Sequence, residues 1–186
     1  MQDDQKKSKY TEIIIAYPFA LIVAAMIVNG VIGIASAEIA LPSRSVMAGL
    51  GVSAALLVAN HIGLMTSTEL TRLKYELHAT PEEWAASGTS PKDASPEGVA
   101  ELARRHNAHR NATENTVYFA LVAALASMVT PSEVIMWLWA VGFAIGRVGH
   151  SFSYLTGRDG MRGIFMSVSL MSLFGLLGYF LVSLMI

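Results

Sequence analysis

The chain has 186 residues, 53 % of them hydrophobic and 15 % charged, with a formal net charge of -1 at pH 7. Its apolar residues come in long unbroken blocks, which excludes an ordinary soluble domain and makes the bilayer its solvent. It contains no cysteine, so disulfides, a protein thiolate and cysteine-ligated metals are excluded, and any thiol chemistry would use a thiol brought by a substrate. Nothing in the charge pattern points to a nucleic-acid partner.

The first apolar block, residues 13–37, follows Lys6, Lys7 and Lys9 and ends in Ala-Ser-Ala. It exceeds the roughly 7 to 15 residues of a signal-peptide core, so it reads as an anchor, with cleavage as a minority alternative. A second uncharged block covers residues 45–68. The connection at about 69–96 is rich in Pro, Ser, Thr and Glu and carries two helix-start signals. Thr80-Pro81-Glu82-Glu83 predicts a short helix, and Ser95-Pro96-Glu97 predicts a long one with Ser as N-cap and Pro at the first helical position. If that helix runs over residues 96–129 it is about 50 Å long and projects roughly two to three turns from the bilayer. A fourth span is expected over residues 134–156 and a last over 163–186, giving five spans.

Lys and Arg alternate along these spans. The N-terminal tail has Lys6, Lys7 and Lys9; the next turn has only Arg44; the long loop region has Arg72, Lys74, Lys92, Arg104, Arg105 and Arg110. The following turn has none, Arg147, Arg158 and Arg162 flank the last turn, and the C-terminal tail has none. The positive-inside rule therefore predicts a cytoplasmic N-terminus and long loop, and an external C-terminus. The membrane is expected to be a bacterial inner membrane or one of endoplasmic-reticulum type.

Residues 104–115 are densely polar and run directly into an apolar stretch, and ionisable groups entering a membrane usually have a task. At about 100° per residue, Arg104, Asn107, Asn111, Glu114 and Tyr118 fall within roughly 80° on a helix. Arg147, His150, Tyr154 and Arg158 form a second such stripe on the next span. In an antiparallel pair the two stripes lie at the same end and can face each other, with Arg158, Asp159 and Arg162 at the same level. The resulting cleft suits a small anion: Arg holds carboxylates, Asn recognises amides, Glu pairs with an amino group, and the cations favour a thiolate. Arg72 is equally readable as a wall of this site or as an interface anchor. Snorkelling of single arginines and a local Arg110–Glu114 pair are the bland alternatives. They explain poorly why two consecutive helices carry co-facing stripes.

His106 and His109 point away from the stripe, so no metal site is expected. Asn60 and His61 lie mid-span, where an interhelical hydrogen bond is the commoner use. Gly142, Gly146, Gly149, Gly175 and Gly178 are spaced for close helix packing within one chain.

The run Arg104-x-x-Asn107-Ala108-His109-Arg110-Asn111-Ala112-Thr113-Glu114 resembles the signature of the membrane-associated proteins in eicosanoid and glutathione metabolism, the MAPEG family. The run Arg147-Val148-Gly149-His150-Ser151-Phe152-Ser153-Tyr154-Leu155, followed by Arg162, is similar to that family's second conserved region, and the resemblance covers residues 48–186. It implies an all-α integral membrane four-helix bundle over residues 45–186, preceded by an additional N-terminal helix in residues 1–44. It also implies a homotrimer binding glutathione between subunits near the cytoplasmic face.

Carried over by position, Arg110, Asn111, Glu114, His150 and Tyr154 match the glutathione-contacting pattern, with Arg104, Asn107, Arg147 and Arg72 as further candidates. Arg162 or Arg158 would activate the thiol together with Tyr154. The chain departs from the family in carrying Asn107 where most members have Arg, Met166 roughly where eicosanoid synthases place Tyr, and the extra first span. The expected function is a membrane-bound glutathione-dependent transferase or peroxidase acting on lipophilic electrophiles, without metal. The alternative is a non-catalytic subunit serving as scaffold or lipid-binding partner, docking a heteromeric membrane partner through the extra helix.

Overall fold

In the computed structural model, which describes residues 2–186 with side chains from Lys6 onward, the chain is all-helical. The α-helices are α1 (Gln2–Ile32), α2 (Arg44–Tyr75), α3 (Pro81–Ser87), α4 (Pro96–Ser127), α5 (Glu133–Leu155) and α6 (Asp159–Ser183), with a 3-10 turn at Pro91–Asp93. Among the described residues, four helical segments are long and apolar enough to cross a membrane: Lys6–Ile32, Arg44–Tyr75, Glu133–Leu155 and Asp159–Ser183. The first half of α4 is the polar run, which dilutes the apolarity of the helix as a whole.

Both predicted starts in the long loop are found, each capped by the expected side chain. The Thr80 hydroxyl accepts from the Glu83 amide at 3.3 Å and the Ser95 hydroxyl from the Gly98 amide at 3.0 Å, satisfying N–H groups with no partner inside the helix. The first apolar block departs from expectation. Its helix stops at Ile32, because Gly33 turns the backbone to φ 102°, and residues 33–43 run without helix across the end of the bundle. Their amides find carbonyl partners there: Ala37 donates to Ser183 at 2.8 Å and Ala40 to Met128 at 3.1 Å. Apolarity alone could not place this stop, since the residues beyond Gly33 stay hydrophobic.

The long helices alternate in direction around α5, which packs on α2, α4 and α6 and lightly on α1. The closest pair is α5 with α6. A Cβ on Gly146 would come within 2.7 Å of the Ser169 backbone nitrogen, and one on Gly149 would collide with the Phe165 ring. These glycines therefore serve packing within the chain.

The additional helix α1 lies along α6. It is anchored by the fully buried Asn29, which donates to the Gly175 carbonyl at 2.8 Å and accepts from the Trp139 indole at 2.7 Å. A larger apolar core includes Phe119, Ile135, Trp139, Phe143, Leu176 and Tyr179, with the Phe119 and Phe143 rings stacked at 4.0 Å. A smaller one holds Leu64, Ala108 and Ala112 with Tyr154 and Leu155.

Candidate functional site

The buried face of α4 is drawn by Ala108, Ala112, Phe119, Ala123 and Ala126, small or flat residues that admit close approach of α2 and α5. The polar stripe runs along the edge of that face. Asn111 is the stripe residue that reaches across, accepting from Arg147 Nη1 at 3.1 Å. Arg147 is 0 % exposed. Its Nη2 lies 3.6 Å from the Met166 sulfur, a weak acceptor, and its Nε has no partner. No carboxylate among the described residues pairs with it. A buried guanidinium with one strong, neutral acceptor is far from the usual rule that buried charges are paired.

Along the same face of α5 lie His150, buried with Nδ1 unpartnered, and Tyr154, whose ring centroid is 5.8 Å from that of His150. The Arg162 guanidinium sits 5.0 Å above the Tyr154 ring and also meets Asp159 at 3.1 Å. Asn111, Arg147, His150, Tyr154 and Arg162 thus form one cluster from three helices. With Arg162 already paired to the exposed Asp159, the unpaired Arg147, two polar rings and a single amide oxygen leave a partly dry, electropositive site suited to an anion.

The other expected residues stand apart from this cluster within one chain. Arg110 donates to the Asn107 side chain at 3.2 Å and lies 3.9 Å from Glu114, all on the exposed flank of α4. The cleft combining all these groups is therefore not assembled by one chain, because the stripe straddles the edge of the packed face. Arg104 pairs with Glu101 at 3.3 Å and packs by the turn between α5 and α6, its Nη1 3.2 Å from where a Cβ on Gly157 would stand. Arg158 is exposed and lies 5.6 Å over the Phe152 ring. Arg72 pairs with Glu69 at 2.7 Å and approaches His106 Nε2 at 3.4 Å, on the α2 side of α4.

The interhelical hydrogen bond expected at His61 is present, with His109 as its partner: His61 Nδ1 and His109 Nε2 meet at 3.0 Å between α2 and α4. Asn29, which organises the seat of α1, went unread. The available signal was a lone Asn or His inside an apolar span. Among the described residues no group of three His or carboxylate side chains could hold a metal.

A bundle of apolar helices long enough to span a bilayer, packed around a buried arginine, defines a helical membrane protein. The model of the MAPEG family matches residues 50–182, and the chain belongs to this family. The match and the four apolar helices make it an integral membrane protein, and membership supports a membrane function connected with glutathione. No curated protein matches the chain. Residues 1–49, which include α1, lie outside the family match.

Proposed function

We propose that the protein is a glutathione-dependent transferase or peroxidase acting on lipophilic electrophiles from the bilayer. The observation that carries this reading is Arg147, wholly buried with no acidic partner among the described residues and flanked by His150, Tyr154 and Arg162. An anionic ligand would supply the missing counter-charge. In this reading Arg162, or Arg158, with Tyr154 stabilises the glutathione thiolate. Arg104, Asn107, Arg110, Asn111, Glu114, Arg147, His150 and Arg72 hold the tripeptide.

The thiol proton passes to water, and the sulfur then bonds to the electrophilic carbon as the leaving group departs with its electron pair or, at an activated double bond, as the neighbouring carbon takes a proton back from water. With a hydroperoxide, two glutathione molecules are oxidised to the disulfide while the peroxide is reduced to alcohol and water. Thiolate stabilisation and positioning supply the rate, with no protein nucleophile.

The proposal includes α4 as a fifth span, the site on the cytoplasmic side and an assembly of three copies. The exposed flank with Asn107, Arg110 and Glu114 supports that assembly, because a neighbouring copy there could bring it into a shared site. Calorimetric titration of glutathione into the detergent-solubilised protein should show binding, and Arg162→Ala should lose conjugation of a generic electrophile. Absence of binding, or unchanged conjugation, refutes the assignment.

A second reading is a non-catalytic scaffold or lipid-binding subunit. It draws on the neutral Asn107 and on the apolar outward face of α1, where Ile14, Phe19, Val23 and Ile27 are exposed. Co-purification from native membranes as a stable hetero-complex without thiol activity would favour it.

A further inference from the structure

Six residues of α2, Leu56, Ala59, Gly63, Ser67, Leu70 and Lys74, recur every three or four positions and so form one stripe along the helix. That stripe floors two successive hollows. The first, about 320 Å³, lies between α2 and α5 and is walled by Val148, Phe152 and Leu155. The second, about 480 Å³, begins one turn further on, where α5 ends and Glu97, Glu101 and Arg105 of α4 take over as the wall. Gly63 stands at the junction, and a Cβ there would meet nothing within 4 Å, so the floor is open. Both hollows face away from the exposed flank of α4 that a neighbouring copy would cover. At about 100° per residue, Arg105 stands about 140° from Arg110 on α4, and Gly63 about 160° from His61 on α2.

The groove changes character along its length. Its first half is apolar, in a stretch of α2 without a charge up to Thr68. Its second half carries two cations and two carboxylates. Lys74 Nζ donates to the Tyr75 hydroxyl at 3.1 Å, and that hydroxyl donates to Glu97 at 2.7 Å. Arg104 and Arg105 share Glu101, so Glu97 is the carboxylate with acceptor capacity left. Arg105 Nε, shut from solvent, has no acceptor, and Lys74 has N–H donors to spare. From Leu56 to Lys74 the helix rises about 27 Å, room for one leaflet with its head-group region.

We infer that this groove holds one phospholipid of the leaflet on the long-loop side, and that its head group is ethanolamine. An acyl chain lies over Gly63 between α2 and α5, the phosphate meets Lys74 and the open edge of Arg105, and the ammonium donates to Glu97. A head group of both signs answers a wall of both signs. Choline has no N–H to give Glu97, and glycerol brings it no charge, so either leaves part of the polar end unmet. The site stands whether or not the protein uses glutathione.

Full-length protein in detergent is titrated with dioleoyl phosphatidylethanolamine, phosphatidylcholine or phosphatidylglycerol, and bound lipid is counted by native mass spectrometry. One ethanolamine lipid per chain should be retained, about tenfold more tightly than either of the others, the worth of one charge-assisted hydrogen bond. Glu97→Gln should abolish the preference for ethanolamine over glycerol, and Lys74→Gln should weaken all three lipids. Gly63→Phe fills the open floor and should abolish retention while leaving the lipid-free melting temperature unchanged or slightly raised.

Equal retention of the three lipids, or a head-group order unmoved by Glu97→Gln, overturns the proposal. So does tighter binding of the glycerol lipid by the parent chain. An intermolecular disulfide in Leu70→Cys, a chain with no other cysteine, would show a second copy in the groove and overturn it as well. Should Gly63→Phe fail to fold, the head-group order in Glu97→Gln decides alone.

Discussion

Replacing Arg147 by methionine separates a functional cation from a structural one. The guanidinium is 0 % exposed, with Asn111 at 3.1 Å as its one strong acceptor and no acidic partner among the described residues. An uncompensated buried ion costs several kcal/mol, whereas a hydrogen bond to a charged group returns about 1.5–3 kcal/mol. Methionine keeps much of the aliphatic stem and adapts to the gap beside Met166, so Arg147→Met should leave the ligand-free protein more stable by about 1–3 kcal/mol.

Glutathione binding should weaken by about 2–5 kcal/mol, roughly 30-fold to a few thousand-fold, since the ligand's charge loses its buried partner. Denaturation in detergent, with and without glutathione, reads both effects. Ligand at about 100 times its dissociation constant should stabilise the parent by about 2.7 kcal/mol, and at that concentration should do little for the variant. A ligand-free variant less stable than the parent would refute the reasoning, showing that Arg147 is satisfied where it lies and serves the fold.

Asn29→Leu should destabilise the bundle by about 1–3 kcal/mol in a detergent-unfolding titration, because it removes two interhelical hydrogen bonds and strands the Trp139 indole N–H. Adding Trp139→Phe should recover part of the loss, and strict additivity would disprove the coupling. Gly146→Ala should cost about 1–3 kcal/mol, since its Cβ would meet backbone at 2.7 Å; Gly63→Ala, with nothing within 4 Å, should be neutral or slightly stabilising in the same thermal melt. Asn107→Arg adds a cation beside Arg110 and should tighten glutathione binding measured calorimetrically; unchanged affinity would place Asn107 outside the ligand's reach. In this cysteine-free chain, Ser90→Cys and Thr130→Cys should react with an impermeant maleimide from opposite sides of the membrane, and labelling from one side would reject the proposed orientation.

The helices themselves were legible because their causes are local. Uncharged stretches of bilayer length marked α2 and α6, an apolar run continuing past Arg147 marked α5, and Ser95-Pro96 and Thr80-Pro81 marked starts that the structure caps as expected. Gly33 shows the limit: one glycine in an apolar block is as compatible with a continuing helix as with the turn that ends α1. The family was legible too, from the polar runs of α4 and α5, and the match over residues 50–182 includes both.

Helical geometry grouped Asn107, Asn111 and Glu114 on one stripe of α4, but a stripe has no depth. Rotation of α4 about its axis, set by Ala108, Ala112 and Phe119 packing inward, decided that Asn111 meets Arg147 while Asn107, Arg110 and Glu114 remain outside. The axial register of α2 against α4 likewise decided that His61 meets His109, and the approach of α1 to α6 decided that Asn29 meets Trp139. Spacing along one helix follows from 3.6 residues per turn; rotation and register between helices follow from how whole faces interlock, and that is settled only when every side chain is in place.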